Sequence, residues 1–157
     1  MSKKIGGEAT CPRCGKAFQV DLYRSIWVEY PENMALILED NINVIVCPYC
    51  NHRERINFPF LATNVRKKFA LWYEPYHDTQ IDQDVDQYRK HMGPNSFYAL
   101  APRIADWDEF KARLREMDAV GPVAGHVNLS SETQNNMRKF LDSLASGTKK
   151  KKKWWPF

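Results

Sequence analysis

Alternation of apolar and polar residues predicts several strands in the first half of the chain. Phe18–Tyr23 alternates in this way, and the β-forming residues Ser25–Glu29 extend it as a strand or hairpin. Val44–Val46 is a short apolar run that favours a second strand directly before Cys47. Further strands are predicted at Arg53–Phe58 and at Phe69–Tyr73. One more is predicted through Phe97–Leu100 and Arg103–Ile104, with Pro102 at an edge or bulge.

Apolar residues spaced by three and four positions predict helices between and after these strands. Asp106 precedes the clearest of these patterns and is a good N-cap, because its carboxylate can accept from the first turn. The segment Asn41–Asn43 is expected to be a turn. The predicted helices are Glu32–Asp40, Asp78–His91, one from Asp106 to about Met117, and a last one from Ser130 or Ser131 to Gly147.

Composition is that of a soluble globular protein, with 43% hydrophobic and 27% charged residues among 157. No apolar run approaches the roughly eighteen residues that cross a bilayer. The basic start Met1–Lys4 has no apolar stretch behind it, so export is not expected and a cytoplasmic location is predicted. The net charge is +4, but Lys149–Lys153 contributes five positive charges, so the remainder sums to −1.

Four cysteines form two Cys-Pro-X-Cys motifs, Cys11–Cys14 and Cys47–Cys50, and the chain has no others. In a reducing compartment such pairs indicate a metal site before they indicate disulfides. Four thiolates close a tetrahedral shell around one zinc ion and leave no open position, so a single structural Zn²⁺ is expected. Iron in the same shell and a redox dithiol are the alternatives.

The residue after each motif supports this interpretation. Turns of this kind need a left-handed backbone there, which Gly15 adopts without cost and Asn51 adopts more readily than most residues. The 32 residues between Cys14 and Cys47 are rich in predicted strand and helix, so they are expected to form an ordered insertion.

Other motifs carry little chemistry. His52 adjoins the second pair, but the shell is already full, so it is interpreted as a surface imidazole. Asp82, Asp84 and Asp86 alternate like the start of an EF-hand, yet the required later Gly and Glu are missing, and a solvated helix face is preferred. No phosphate loop or nucleophile motif is present, so no enzyme activity is expected.

These motifs resemble the CpXC domain, a bacterial and archaeal zinc-ribbon-like family named for Cys-Pro-X-Cys. The likeness covers about two-thirds of the chain. It implies the ligand set Cys11, Cys14, Cys47 and Cys50 and no catalytic residues. Asn51 stands where the family usually has glycine. The matching segments are Thr10–Lys16, the strand through Trp27, Val44–His52, Phe58–Leu61, Lys68–Trp72 and Arg103–Phe110.

The expected fold class is therefore α+β, with a small zinc-ribbon-type antiparallel sheet that holds an ordered insertion, followed by C-terminal helices. The domain prediction has four parts. They are an N-terminal arm at 1–7, a CpXC-like zinc-binding domain at 8–118, a loop and helix at 119–147, and a basic aromatic tail at 148–157.

The tail joins five lysines to Trp-Trp-Pro-Phe, a combination that suits an anionic membrane surface, a nucleic acid or a groove on a protein partner. The favoured function is a non-catalytic zinc module that binds a protein partner or assembly, with the tail as its candidate contact to the inner face of the membrane. The alternative is a nucleic-acid-binding zinc ribbon with a small basic patch at Lys16, Arg53, Arg55 and 66–68. The candidate tail contacts are Lys149, Lys150, Lys151, Lys152, Lys153, Trp154, Trp155 and Phe157.

Overall fold

The computed structural model describes residues 2–120 and the backbone of Lys152–Lys153. Within these residues the strands and helices confirm the α+β class. The strands are β1 (Lys3–Thr10), β2 (Ala17–Trp27), β3 (Val44–Val46), β4 (Arg53–Arg55), β5 (Phe60–Asn64), β6 (Phe69–Tyr73), β7 (Arg103–Ile104) and β8 (Lys152–Lys153). The helices are α1 (Pro31–Leu38), α2 (Thr79–Met92) and α3 (Trp107–Val120).

The larger sheet contains β7, β6, β5, β2 and β1 in that spatial order, and the two residues of β8 lie along the outer edge of β1. This sheet is mixed: β1–β2 and β5–β6 are antiparallel, whereas β2–β5 and β6–β7 are parallel. The smaller sheet is the antiparallel pair β3–β4, which matches the expected small antiparallel sheet.

The two central strands β5 and β6 are buried at every position. Their side chains alternate between two cores on opposite faces of the sheet. Phe60 and Leu71 belong to the core that α1 and α3 cover, whereas Leu61 and Trp72 belong to the core that α2 covers. Burial on both faces explains why Phe69–Tyr73 is uniformly apolar rather than alternating.

A third core lies between the two sheets. Ala9, Val20 and Leu22 of the larger sheet pack there against Ile45 of β3 and Phe58 after β4. All five side chains are at most 8% exposed. The small hairpin is therefore anchored by apolar contacts as well as by its cysteines.

Most predicted elements are confirmed, including the N-cap: Asp106 Oδ1 accepts from the backbone N–H of Glu109 at 2.8 Å. The strand expected at Phe97–Leu100 is wrong, because these residues form a turn in which Leu100 N–H donates to the carbonyl of Ser96 at 3.0 Å. Tyr98 and Ala99 are buried in the α2 core instead, whereas Leu100 is 63% exposed.

Besides the two residues of β8, two strands were not predicted. One is β1, whose first five residues fall within the arm proposed at 1–7, and the other is β5. Conversely, α3 continues three residues beyond Met117, to Val120. The last predicted helix, from Ser130 or Ser131, lies outside the described residues. None of the described helices is long and apolar enough to cross a membrane.

Candidate metal centre

The two cysteine motifs lie at the tips of two hairpins. Cys11–Cys14 connects β1 to β2, and Cys47–Cys50 connects β3 to β4. The turns share one hydrogen-bond pattern. In the first, Cys11 N–H donates to the carbonyl of Lys16 at 2.9 Å and Gly15 N–H donates to that of Cys11 at 2.8 Å.

The second turn repeats this pattern. Cys47 N–H donates to the carbonyl of His52, and Asn51 N–H donates to that of Cys47, both at 2.9 Å. The predicted left-handed backbone is also confirmed, with φ of 74° at Gly15 and 61° at Asn51. A Cβ on Gly15 would meet no atom within 4 Å, so this position favours glycine because of its φ angle rather than for lack of space.

The four sulfur atoms converge between the hairpins, all within 4.8 Å of one another. The Sγ atoms of Cys11 and Cys50 are 3.6 Å apart, and so are those of Cys14 and Cys47. A tetrahedral zinc site with Zn–S bonds of about 2.3 Å has sulfur–sulfur edges of about 3.8 Å. The sulfur positions therefore fit one four-coordinate metal ion, and each hairpin would supply two ligands.

Burial of the thiols is uneven. Cys11 and Cys47 are each 1% exposed, Cys50 is partly exposed and Cys14 is exposed. The first cysteine of each motif therefore points into the protein, and the second lies nearer to solvent. A metal ion here would be shielded on the side of Cys11 and Cys47 and would lie close to the surface on the side of Cys14.

The pKa values of the Cys11 and Cys50 thiols are shifted in opposite directions. Burial disfavours the Cys11 thiolate, but hydrogen bonds from the backbone N–H groups of Cys14 and Arg13 and from Cys50 lower its pKa to about 6. The backbone N–H of His52 favours the Cys50 thiolate, yet burial and the hydrogen bonds of neighbouring sulfurs raise its pKa to about 11. Because metals bind thiolates rather than thiols, metal binding would release the protons that these cysteines carry.

His52 takes no part in the sulfur cluster through its imidazole. Its carbonyl accepts the turn hydrogen bond, and its Nε2 lies 3.5 Å from an oxygen of Glu54. Tyr49 is 58% exposed, and the Lys16 ammonium lies 4.8 Å from its ring centroid. This contact connects the first turn to the second on their outer side.

The six residues of the small basic patch occupy different parts of the structure. Arg55 stacks on Trp107 at 4.2 Å, and Lys67 Nζ lies 2.9 Å from a carboxylate oxygen of Asp118. Arg66 lies 3.5 Å from Glu29. Lys16 and Arg53 are exposed beside the cysteine turns. Several of these cations are thus engaged in contacts within the protein.

The three alternating aspartates lie on α2, and each is paired with an arginine. Asp82 pairs with Arg103 at 2.6 Å and Asp86 with Arg89 at 3.1 Å. The expected solvated face fits Asp86, whose side chain is 72% exposed, but not Asp84, whose side chain is 13% exposed against Arg24. The EF-hand alternative has no support in this arrangement.

Arg24 is a largely buried ionic centre that sequence reasoning missed. Its guanidinium lies 2.9 Å from Asp78 and 3.0 Å from Asp84, with its side chain 11% exposed. It also lies over the indole of Trp72, at 5.4 Å. Asp78 caps α2 through a 2.9 Å hydrogen bond from Gln80 N–H, so Arg24 holds the start of this helix against β2. An arginine in the middle of a predicted half-buried strand was the available signal.

The tail residues divide into two groups. Lys152 and Lys153 pair in parallel with Gly7 and Glu8 of β1. The other candidate contacts, Lys149, Lys150, Lys151, Trp154, Trp155 and Phe157, lie outside the described residues.

The fold and the sulfur cluster define an α+β protein with a site that can hold one metal ion between two hairpins. The family model described as CpXC protein matches residues 9–120, more than two-thirds of the chain. The chain therefore belongs to the CpXC family, which confirms the resemblance noted from its motifs. No curated protein and no solved structure matches it.

Proposed function

We propose that this protein is a non-catalytic module, organised by one structural zinc ion, that binds a protein partner beside its cysteine turns. The convergence of four sulfur atoms is the observation that carries the first half of the proposal. Four thiolates complete a tetrahedral shell, so the metal would have no position for water or substrate. Its contribution would be to hold the hairpins together.

Zinc is favoured over iron because a closed set of four thiolates is a common structural zinc site, although iron accepts the same ligands. Elemental analysis of the purified chain distinguishes them. We expect one zinc per chain and a colourless protein. A red protein with one iron per chain would show that the site holds iron instead of zinc. Less than half an equivalent of either metal per chain would refute the proposal that a metal ion organises the module.

The proposed docking surface is the knuckle surface, defined as Arg13, Lys16, Val46, Tyr49 and Arg53. All five are exposed, with Val46 at 49% and Tyr49 at 58%. Tyrosine and arginine are enriched among the residues that dominate protein interfaces. A partner with an apolar pocket for Tyr49 and an acidic rim would complement this surface.

Charge supports a protein over a nucleic acid as the partner. Residues 2–120 contain 16 Lys and Arg against 17 Asp and Glu, so the described body is essentially neutral. Nucleic-acid binding draws most of its affinity from neutralised phosphates, which favours a strongly basic face. Arg55, Arg66 and Lys67 have the contacts described above. Beside the turns, Lys16 lies over Tyr49 and Arg53 donates to Asn41 Oδ1 at 3.2 Å, so these cations too have contacts within the protein.

The test is crosslinking in native lysate after nuclease treatment, with Tyr49→Ser as the variant. Tyr76→Ser is the matched control, because Tyr76 is 50% exposed and lies outside the knuckle surface. We expect a specific partner that survives nuclease, is lost in Tyr49→Ser and is kept in Tyr76→Ser. Recovery that requires intact nucleic acid would favour the nucleic-acid alternative, and equal loss in both variants would refute the knuckle surface. A cytoplasmic location and membrane contact remain predictions from sequence.

A further inference from the structure

Along its outer edge, the long strand β1 pairs with the much shorter strand β8. β1 has eight residues and pairs with β2 along its whole length on one side. On its other side, the described residues that pair with it are Lys152 and Lys153 alone. A strand edge presents a row of backbone donors and acceptors, which makes it a template for adding another strand.

The middle of this edge allows close approach by another backbone. Gly6 and Gly7 have no side chains, and Gly7 is the residue opposite Lys152. A Cβ on Gly6 would come within 3.3 Å of the Asp21 carboxylate, so that carboxylate lies directly over the glycine. Glycine inside a strand often marks a place where another backbone comes near.

Charge also favours a basic occupant. Glu8 is the register partner of Lys153, and Asp21 of β2 is the register partner of Gly6. These two acidic residues therefore flank the part of the edge where Lys152 and Lys153 pair. The nearby cation Lys4 lies over the ring of Tyr23, at 4.6 Å.

We propose that Lys152–Lys153 form an intramolecular cap on the middle of the β1 edge and control access to it. A second strand could pair with Gly7 and Glu8 only after displacing Lys152 and Lys153. Because the pairing is parallel, the chain at Lys153 runs in the same direction as β1, which leads to the first cysteine turn. The cap does not depend on the proposed protein partner.

Hydrogen exchange of the full-length chain tests the cap. The variant Lys152→Pro/Lys153→Pro removes both backbone donors, and Lys149→Pro/Lys150→Pro is the matched control with the same composition. We expect the peptide covering residues 5–10 to exchange about tenfold faster in the first variant, the ratio expected for losing one or two hydrogen bonds of modest net strength. The control should stay within about twofold of the wild type on the same scale.

Metal content and the exchange of β5 and β6, measured in the same samples, show whether the variant remains folded. Unchanged exchange of residues 5–10 in the folded first variant would overturn the cap. Equal acceleration in both variants would also overturn it, because the effect would not be specific to Lys152 and Lys153. Protection of β1 that rises with protein concentration would overturn an intramolecular cap in favour of pairing between copies.

Discussion

The side-chain amide of Asn43 pairs with both backbone groups of Tyr23. Tyr23 N–H donates to Asn43 Oδ1 at 2.6 Å, and Asn43 Nδ2 donates to the carbonyl of Tyr23 at 3.3 Å. Asn43 is 6% exposed, and its own carbonyl accepts from Ile56 N–H at 2.9 Å. One residue therefore joins the second cysteine hairpin to β2, where a side chain takes the place of a neighbouring strand.

Replacing Asn43 should loosen this joint. Asn43→Ala removes the partner of two partly buried backbone groups of Tyr23 and forces alanine to adopt a φ of 53°. We expect a loss of about 2–4 kcal/mol in the free energy of unfolding, measured in urea with metal bound. Asn43→Gly removes the amide without the backbone strain and should cost about 1 kcal/mol less. An unfolding free energy equal to that of the wild type in either variant would show that the Asn43 side chain does not stabilise the connection to β2.

The left-handed residues of the two turns should respond oppositely to substitution. Gly15→Ala introduces strain at a φ of 74°, and we expect it to cost about 1 kcal/mol. Asn51→Gly removes the mild strain at 61° and should leave stability unchanged or slightly higher. Chelator competition and thermal unfolding measure both effects. Tolerance of Gly15→Ala at full metal affinity would show that the turn relaxes.

Metal binding should depend on the cysteines and not on the adjacent histidine. Cys14→Ser removes an exposed ligand without creating a cavity in the core. We expect its metal content after dialysis to fall clearly below one ion per chain, and exchange of β3 and β4 to accelerate. His52→Ala is the matched control and should keep its metal, since its imidazole lies outside the sulfur cluster. Metal loss in His52→Ala would indicate a different ligand set.

Arg24 should be the most sensitive charged residue outside the metal centre. Arg24→Met leaves Asp78 and Asp84 close together with their positive partner removed. Breaking a buried pair in this way typically costs about 3–5 kcal/mol, and we expect a loss near the lower end because both carboxylates are partly solvated. Arg113→Met, at an exposed pair, should cost less than about 1 kcal/mol. Comparable losses in urea unfolding would contradict the special position of Arg24.

Stability should fall in acid partly because of Asp40. Hydrogen bonds from Lys111 and from the Trp107 indole hold the pKa of Asp40 below its ordinary value of 3.8. The folded state therefore binds fewer protons than the unfolded state, so the stabilising contribution is present above pH 3.8 and is lost as pH falls through the folded pKa.

Asp40→Asn tests this contribution. The amide keeps an acceptor for Trp107 and tolerates the φ of 59°, but it cannot ionise. We expect the wild type to be more stable than the variant at pH 7 and the difference to shrink toward pH 3. A stability difference that is independent of pH would show that it arises from packing and not from the ionisation of Asp40.

The metal site could be predicted from sequence because its requirements are local. Each Cys-Pro-X-Cys turn needs a residue with a left-handed backbone immediately after it. Gly15 and Asn51 are residue types that adopt this conformation, and they can be recognised from the local sequence alone. The same holds for the cap of α3 at Asp106. In each case the chemistry depends on residues within a few positions of one another.

The missed features depend on distant partners. β1 contains two glycines and two lysines, which have low strand propensity, and it is a strand because β2 pairs with it along its whole length. Phe97–Leu100 has the composition of a strand but forms a turn, in which Phe97, Tyr98 and Ala99 belong to the α2 core with Tyr88 and Trp72. Arg24 pairs with residues 54 and 60 positions away, which no local pattern reveals.

The order of the ligands along the chain has a consequence for synthesis. All four sulfur atoms come from residues 11–50, whereas β5, the parallel partner of β2, begins at Phe60. On the ribosome, the metal centre can therefore close while the central strands are still within the exit tunnel. Binding of an ion would hold β1–β4 in their native arrangement early. The chain would then have fewer conformations to sample before β5 and β6 join the sheet.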